Sequence, residues 1–378
     1  MSHPAPEFPP PAARPGSTGN NAGNAGSVQT GRYSLGDRPL SDTAAALEQV
    51  VMEVKKVVVG QDRMVERMLV ALLSRGHCLL EGVPGVAKTL AVETLARTVG
   101  GSWARLQFTP DLVPSDIVGT RVYRPSREGF EVELGPVFAN LVLADEINRA
   151  PAKVQSALLE VMAEQQVSIG GTTYALPDPF LVLATQNPIE SEGVYALPEA
   201  QRDRFLLKIE VNHPSMAEEM EIVRRMSVTA PVPHQVIDTE ALLAAQAATD
   251  AVFVHHAIAE YAVRLVMATR DPAAWQLPEL VPLIANGASP RGSLGLVRAG
   301  RALALLRGRD YVLPQDVADL AVDVLAHRLV LSFDALADGV PQKAVVERVL
   351  SRVGQPVVAP AQPVPLHAAS SSGTPLSA

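Results

Sequence analysis

The sequence predicts an α/β protein in which a parallel β-sheet flanked by helices is followed by a smaller, all-helical domain. Two observations predict this. Short apolar runs alternate with helical or mixed segments between residues 78 and 209, as in chains that build a parallel sheet from successive βαβ units. After His213 and Pro214 these runs stop, and helical periodicity continues to about residue 353. The length of 378 residues suits about two domains and tails.

Both ends of the chain are predicted to be disordered tails. Residues 1–38 are rich in Pro, Ala, Gly, Asn and Ser, and residues 355–378 have a Pro, Ala and Ser bias. Such segments bury too little apolar surface to offset the entropy lost on ordering. The ordered chain then divides into a sheet domain at residues 39–212 and a helical domain at residues 213–354.

Five apolar runs are the predicted strands of the sheet. They occupy residues 78–80, 104–108, 141–144, 180–184 and 205–209. Two further segments alternate like hairpins: one pairs residues 120–123 with 129–134, and the other turns at Gly170 and Gly171 between residues 166–169 and 172–175. We expect both hairpins to project from the sheet domain as insertions.

The second domain shows six stretches of helical periodicity. They cover residues 216–228, 239–248, 254–269, 294–306, 314–327 and 343–353. Three of them have a residue typical of a helix start: Ser215 before Glu218, Ser293 before a run of Leu and Ala, and Pro314 at a first helical position.

A glycine-rich loop is the first candidate site. It comprises eight residues between the first predicted strand and a helix-forming stretch at 90–99: Gly82, Val83, Pro84, Gly85, Val86, Ala87, Lys88 and Thr89. Backbone N–H groups at a helix N-terminus hold phosphate oxygens, while the lysine reaches the β and γ phosphates and the threonine ligates Mg²⁺. Because Ala87 replaces the second glycine of the Gly-x-x-x-x-Gly-Lys-Ser/Thr pattern, an ordinary Gly/Pro turn before a helix is the alternative.

Polar residues follow two other predicted strands, at the edge where open α/β sheets bind ligands. Asp145 would hold Mg²⁺, and Glu146 would polarise the water that attacks a γ phosphate. The alternative for this pair is an acidic cluster stabilised by the dipole of a following helix. Asn187 could orient the water if its strand neighbours that of Asp145, or it could form a turn before Pro188.

Six motifs, taken in order, resemble the signatures of MoxR-type AAA+ ATPases. They are GQD at residues 60–62, the loop at 82–89, ADEINRA at 144–150, ATQNP at 184–188, LPEAQRDRF at 197–205 and ASPR at 288–291. The resemblance runs from about residue 42 to about residue 353, and an alanine at position 87 is usual in this family. It implies an AAA+ P-loop αβα domain followed by a smaller all-α lid domain.

The resemblance also implies roles for individual residues. Gly82 to Thr89 would form the Walker A loop, with Gly60 and Gln61 also at the nucleotide. Asp145 and Glu146 would be the Walker B pair, and Asn187 would be sensor 1.

Two arginines complete the implied site. Arg204 would be the arginine finger offered to a neighbouring subunit, and Arg291 would be sensor 2, contacting the γ phosphate from the lid. Arg202 stands where the family usually has an apolar residue, so either Arg202 or Arg204 could act in trans. The alternatives are a surface ion pair for Arg204, with Asp203 or Glu199, and a helix-start or surface charge for Arg291.

The resemblance implies ATP and Mg²⁺ as cofactors and a homo-oligomeric ring, expected to be a hexamer, with nucleotide at each subunit interface. It further implies chaperone-like remodelling or activation of partner proteins, often von Willebrand factor A domain proteins and their metal cofactors.

Two other functional classes remain open. A nucleic-acid-directed AAA+ motor is disfavoured by the net charge of −8, and a non-hydrolysing nucleotide-dependent scaffold would not require Glu146 or Arg204. No apolar run approaches the ~18 residues of a membrane span, no secretory signal is evident, and Cys78 is the one cysteine. We therefore expect a cytoplasmic protein with no membrane span and no nucleic-acid partner.

Overall fold

A computed structural model describes residues 40–187, 194–227 and 231–357 of the chain. The predicted N-terminal tail and all but three residues of the predicted C-terminal tail lie outside these ranges, as does Pro188. Within the described ranges, no helix combines the length and the apolarity needed to cross a membrane.

Two helices, α1 (Leu40–Val57) and α2 (Asp62–Leu73), precede the sheet. Neither is among the predicted elements, although the buried residues of α1 recur at helical spacing, with Leu47, Val50 and Val54 on one face. These helices belong to the larger of two hydrophobic cores and pack against the helices that follow.

The sheet domain alternates strands and helices as predicted. Its elements, in chain order, are β1 (Cys78–Glu81), α3 (Lys88–Thr98), β2 (Trp103–Gln107), α4 (Pro114–Val118), β3 (Gly119–Arg124), β4 (Gly129–Leu134), β5 (Leu141–Asp145), α5 (Ala152–Glu164), β6 (Gln166–Ile169), β7 (Thr172–Ala175), β8 (Leu181–Gln186), α6 (Glu199–Arg202) and β9 (Leu207–Glu210).

Five of these strands form one parallel sheet in the order β2-β5-β8-β1-β9. The sheet confirms the predicted fold class, and each of its strands overlaps a predicted run. The central strands read as nearly continuous apolar segments because both of their faces are covered. β3 pairs with β4 and β6 pairs with β7, each antiparallel, which confirms both hairpins.

The helical domain follows β9. It contains α7 (Met216–Met226), α8 (Thr239–Ala251), α9 (His256–Arg270), β10 (Ile284–Asn286), α10 (Pro290–Leu306), α11 (Pro314–Leu325), β11 (Val330–Leu331), α12 (Phe333–Ala337) and α13 (Gln342–Arg352). All six predicted helices are present. The short antiparallel pair of β10 with β11, and α12, are additions to the prediction.

Two of the three predicted helix starts are confirmed. Ser215 caps α7 through a reciprocal pair of bonds with Glu218, and Pro314 is the first residue of α11, as expected. Ser293 is not a cap: α10 begins at Pro290, where the Ser289 hydroxyl accepts the Arg291 N–H. A proline is well suited to the first position of a helix because its missing N–H would have no helical partner there.

The two faces of the sheet belong to different hydrophobic cores. Alternate strand residues point to opposite faces, so Leu79 and Val142 lie in the smaller core with α5. Leu80 and Leu143 lie in the larger core, which also includes the buried faces of the helical domain. The helical domain is therefore attached to one face of the sheet through continuous apolar packing.

Candidate nucleotide site

The predicted phosphate-binding loop turns sharply from β1 into α3. Ala87, the residue before α3, has a φ of +62°, and Gly85 has a φ of +85°. Both values lie in the left-handed region, where alanine carries a steric cost that glycine avoids. Ala87 thus adopts the conformation for which the general pattern uses glycine. No side chain caps the N-terminus of α3, so its first N–H groups are oriented for an anion.

Lys88 is half-buried inside this loop. Its Nζ donates a hydrogen bond to the Gly82 carbonyl oxygen at 2.7 Å. Burial lowers the pKa of Lys88, and the negative charges of Asp145 and Glu146 oppose that shift. The ammonium therefore lies within electrostatic reach of both Walker B candidates.

Asp145 is the last residue of β5, and both of its carboxylate oxygens have partners. Oδ1 accepts a hydrogen bond from Thr185 Oγ1 at 2.6 Å. Oδ2 accepts from the Arg105 guanidinium, at 2.7 Å from Nη2 and 3.2 Å from Nε. Arg105 lies on β2, which pairs with β5.

Glu146 follows in a left-handed conformation, with a φ of +57°. Its backbone N–H donates to Thr185 Oγ1 at 2.9 Å. Its Oε2 accepts from Gln107 Nε2 at 2.9 Å and forms an ion pair with Arg149 Nε at 3.1 Å. The acidic pair is thus held by polar groups from β2, from β8 and from the turn after β5, rather than serving only as a helix N-terminal cluster.

Asn187 and the Gly60–Gln61 pair lie at the same edge of the sheet. Asn187 directly follows β8, the strand between β5 and β1, and is only 8% exposed. The neighbouring-strand condition for Asn187 is therefore met. Gln61 Nε2 donates to the carbonyl oxygen of Asn212, two residues after β9, at 3.0 Å. That contact brings the Gly60 turn to the carboxyl edge, next to the phosphate-binding loop.

Arg204 lies at the opposite edge. β1 and β9 are parallel neighbours, with Cys78 opposite Leu207 and Glu81 opposite Glu210. Lys88 comes after β1 ends, whereas Arg204 comes before β9 begins, so roughly 10 Å of sheet separates the two edges. Arg204 is exposed, and its Nη1 donates to the Leu159 carbonyl oxygen at 2.9 Å. Arg202 is less exposed than Arg204.

Arg291 also lies at that opposite edge, and its expected role as sensor 2, contacting the γ phosphate from the lid, stays a prediction. Its Nη1 is 3.3 Å from Asp203 Oδ2, and Asp203 directly precedes Arg204. The attachment of the lid places Arg291 there. The Ser289 hydroxyl, at the N-terminus of α10, donates a hydrogen bond to Asp203 Oδ1 at 3.0 Å, and Asp203 lies in the segment between α6 and β9.

Several residues of the site were not predicted from sequence. Thr185 and Arg149 lie inside recognised motifs, so their proximity to the acidic pair could have been suspected. Arg105 and Gln107 could not, because only the order of strands places β2 beside β5. Asp203 lies in a motif, but its contacts with the lid depend on tertiary structure.

Comparisons with known proteins agree with this architecture. Residues 77–207 match the family described as ATPase family associated with various cellular activities (AAA), and residues 281–349 match the AAA lid domain. A crystal structure of a candidate ATPase from Cytophaga hutchinsonii is similar, with a TM-score of 0.79 and 46% identity over 83% of this chain and 96% of that chain.

Curated relatives are similar over most of their length. Chaperone MoxR1 of Mycobacterium tuberculosis is 61% identical, covering 85% of this chain and 86% of the relative. Protein YeaC of Bacillus subtilis, described as uncharacterized, is 43% identical over 84% of this chain and 97% of the relative. Protein MoxR of Methylorubrum extorquens is 36% identical over 78% of this chain and 91% of the relative.

Proposed function

Since the chain belongs to the MoxR family of AAA+ ATPases, we propose that it hydrolyses ATP at sites formed between neighbouring copies of itself and uses that energy to remodel partner proteins. The observation that carries this proposal is the separation of the site into two halves. The phosphate-binding loop and the acidic pair lie at the carboxyl edge of the sheet, whereas Arg204 and Arg291 lie at the amino edge.

The residues at the carboxyl edge fit a triphosphate with Mg²⁺. The uncapped N-terminus of α3 and the left-handed Ala87 shape a loop of N–H donors. Thr89 and Asp145 supply the oxygen ligands that Mg²⁺ prefers. Mg²⁺, when bound there, would neutralise charge on the phosphate oxygens.

The chain's own groups would then divide the work of phosphoryl transfer. Lys88 would exchange its hydrogen bond with the Gly82 carbonyl for the β and γ phosphates. Glu146 would accept a proton from the attacking water, and Asn187 would orient that water. Gln107 and Arg149 both contact Oε2 of Glu146, and these contacts would orient the carboxylate.

Both arginines would serve the nucleotide of a neighbouring subunit. Because Arg204 and Arg291 lie at the edge opposite Lys88, a chain cannot bring them to its own γ phosphate without detaching the lid and the α6–β9 segment. A ring, by family resemblance a hexamer, presents the amino edge of one subunit to the carboxyl edge of the next. The exposure of Arg204 favours it over Arg202 for this role.

Two alternatives from other functional classes are less well supported. A nucleic-acid-directed motor would share the ATP site, but the net charge of −8 disfavours it. A non-hydrolysing scaffold would need neither a water-polarising carboxylate nor an arginine finger. DNA-stimulated turnover would favour the first alternative, and ATP binding without turnover would favour the second.

The proposed client is a protein. The relative named Chaperone MoxR1 supports a chaperone-like role, and the two hairpins that extend from the sheet domain are candidate levers on a client. Partners with von Willebrand factor A domains, and assistance with their metal cofactors, follow from the family resemblance and belong to this proposal.

Mixing two inactive variants tests the shared site. Lys88→Ala lacks the phosphate contact and Arg204→Ala lacks the finger, so each should be at least about 10³-fold less active than the wild type. Mixed rings should regain ATP hydrolysis, because some junctions combine an intact Lys88 with an intact Arg204. Failure to regain activity in rings shown to contain both variants would contradict the proposal.

A further inference from the structure

Arg328 is a buried arginine at the end of the helical turn that follows α11. Its side chain is only 3% exposed. Nη2 donates a hydrogen bond to the Phe205 carbonyl oxygen at 2.6 Å, and Nη1 donates to the Leu206 carbonyl oxygen at 3.2 Å. Nε forms an ion pair with Asp203 Oδ1 at 3.0 Å. One lid side chain therefore holds the segment that carries Arg204, contacting residues on both sides of that arginine.

Asp203 is the second half of this arrangement. Its carboxylate oxygens Oδ1 and Oδ2 accept hydrogen bonds from the Ser289 hydroxyl at 3.0 and 2.9 Å. Oδ2 also lies 3.3 Å from Arg291 Nη1, and Oδ1 forms the ion pair with Arg328. All three partners belong to the lid. Asp203 directly precedes Arg204, and it thus joins the N-terminus of α10, which bears Arg291, to the segment that carries Arg204.

We propose that Arg328 and Asp203 form a positioning pair that orients Arg204 and Arg291 together for the neighbouring subunit's nucleotide. This inference rests on the proposed function. Each proposed ATP site lies between two subunits, one that binds the nucleotide and one that supplies the arginines. A subunit needs Arg328 in order to supply its arginines to the neighbour, and does not need it in order to bind and hydrolyse its own nucleotide.

The chemistry of Arg328 suits positioning. A guanidinium offers several N–H donors in a rigid plane, so it can bind two successive carbonyl oxygens and a carboxylate at once, whereas a lysine ammonium cannot reproduce that fork. Burial lowers the pKa of Arg328 to about 10, and the Asp203 carboxylate opposes the shift. Arg328 therefore stays charged at neutral pH.

The neighbouring His327 supports the same geometry. Its Nε2 lies 3.1 Å from the Phe205 carbonyl oxygen. Burial, followed by the charge of Arg328, holds the pKa of His327 well below its usual range. A neutral imidazole adds no second positive charge beside the guanidinium, so it does not compete with Arg328 for the Asp203 carboxylate.

Attachment of the lid does not depend on this pair alone. Arg67 of α2 pairs with Asp323 of α11, and Arg298 of α10 donates to the Ser74 carbonyl oxygen at 2.8 Å. Arg298 is a matched control because it is a lid arginine that binds backbone of the sheet domain at Ser74, away from Arg204.

The test uses the full-length chain and ATP, with Arg328→Gln mixed separately with each of two partners. Alone, Arg328→Gln should hydrolyse ATP about 10- to 100-fold more slowly than the wild type, as expected for a misplaced catalytic group. Mixed with Lys88→Ala, which supplies intact arginines, it should regain activity to the level of the Arg204→Ala and Lys88→Ala mixture. Mixed with Arg204→Ala, which needs an arginine donor, it should regain none.

This asymmetry separates positioning from a general loss of structure. Arg298→Gln should behave alike with both partners. Rescue of Arg328→Gln by both partners, or by neither while it binds ATP normally, would overturn the inference. If Arg328→Gln fails to bind ATP, the same two mixtures made with Asp203→Asn decide. Failure of the Arg204→Ala and Lys88→Ala mixture would instead refute the shared site itself.

Discussion

Arg67 of α2 and Asp323 of α11 form a buried ion pair between the sheet domain and the lid, with Nε 2.8 Å from Oδ2 and both side chains at most 5% exposed. Arg63 adds a second contact to Asp323 at 2.7 Å. Breaking a buried pair leaves an unpaired charge in a medium of low polarity. The lid is therefore bound to the core electrostatically as well as through apolar packing.

We expect Asp323→Ala to lower the free energy of unfolding by about 3–5 kcal/mol, because Arg67 would remain buried with only the partly exposed Glu66 as a counter-ion. Denaturant unfolding followed by circular dichroism measures this. Lys343→Ala is the control, since Lys343 and Glu210 pair at 3.0 Å but are each nearly half exposed, and such pairs contribute about 0–1 kcal/mol. Equal losses in the two variants would contradict the expectation.

His77 should make the protein less stable in mild acid. Its Nδ1 accepts the Val182 N–H at 3.0 Å, and burial lowers its pKa to about 4. The unfolded chain, with an ordinary histidine pKa of about 6.5, then binds the proton first, so stability is complete above pH 6.5 and falls as the pH drops towards 4. His77 alone can account for up to about 3 kcal/mol of that fall.

Unfolding measured between pH 4 and 7 tests this. His327 is shifted in the same direction, so His77→Gln should reduce the slope of stability against pH without abolishing it. An unchanged slope in His77→Gln would show that His77 does not titrate in this way.

Arg291 should act on the nucleotide of the neighbouring subunit. In the structure it lies with Asp203, at the edge opposite Lys88, so Arg291→Ala should slow hydrolysis while ATP binding to the same chain persists. Mixing with Lys88→Ala should restore activity, and mixing with Arg204→Ala should not. The opposite pattern would mean that Arg291 swings to its own nucleotide.

Glu146→Gln should keep ATP binding and lose turnover. The amide keeps the size of the side chain but cannot accept the proton of the attacking water, and a general base is typically worth about 10²–10⁴ in rate. Single-turnover hydrolysis and binding of a fluorescent ATP analogue, measured on the same sample, separate the two effects. Hydrolysis at the wild-type rate would remove Glu146 from the mechanism.

Ala87 should tolerate glycine and reject a branched residue. With a φ of +62°, the residue at this position lies where glycine has no steric cost and β-branched residues have the largest. Ala87→Gly should bind ATP within about threefold of the wild type, since the left-handed conformation costs alanine about 1–2 kcal/mol and the folded loop already adopts it without ATP. Ala87→Val should bind ATP much more weakly, and isothermal titration calorimetry distinguishes the two variants.

Local features made much of the fold predictable. Each strand of the sheet is a short apolar run, and the second hairpin has Gly170 and Gly171 at the two positions of positive φ that its turn requires. The helix starts were less predictable. Ser289 precedes Pro290 and Ser293 precedes Leu294, and only the backbone conformation selects Ser289 as the cap of α10.

The sequence by itself determined the strands of the sheet, the two hairpins, six helices of the second domain and the residue types of the site, because periodicity and phosphate-binding motifs are local properties of the chain. The tertiary structure decided which of these residues meet. It placed Arg105 and Gln107 against the acidic pair, since β2 lies beside β5, and it placed Arg291 with Asp203 at the far edge from Lys88. Strand order and lid attachment arise from packing between residues distant in sequence, and no local pattern encodes them.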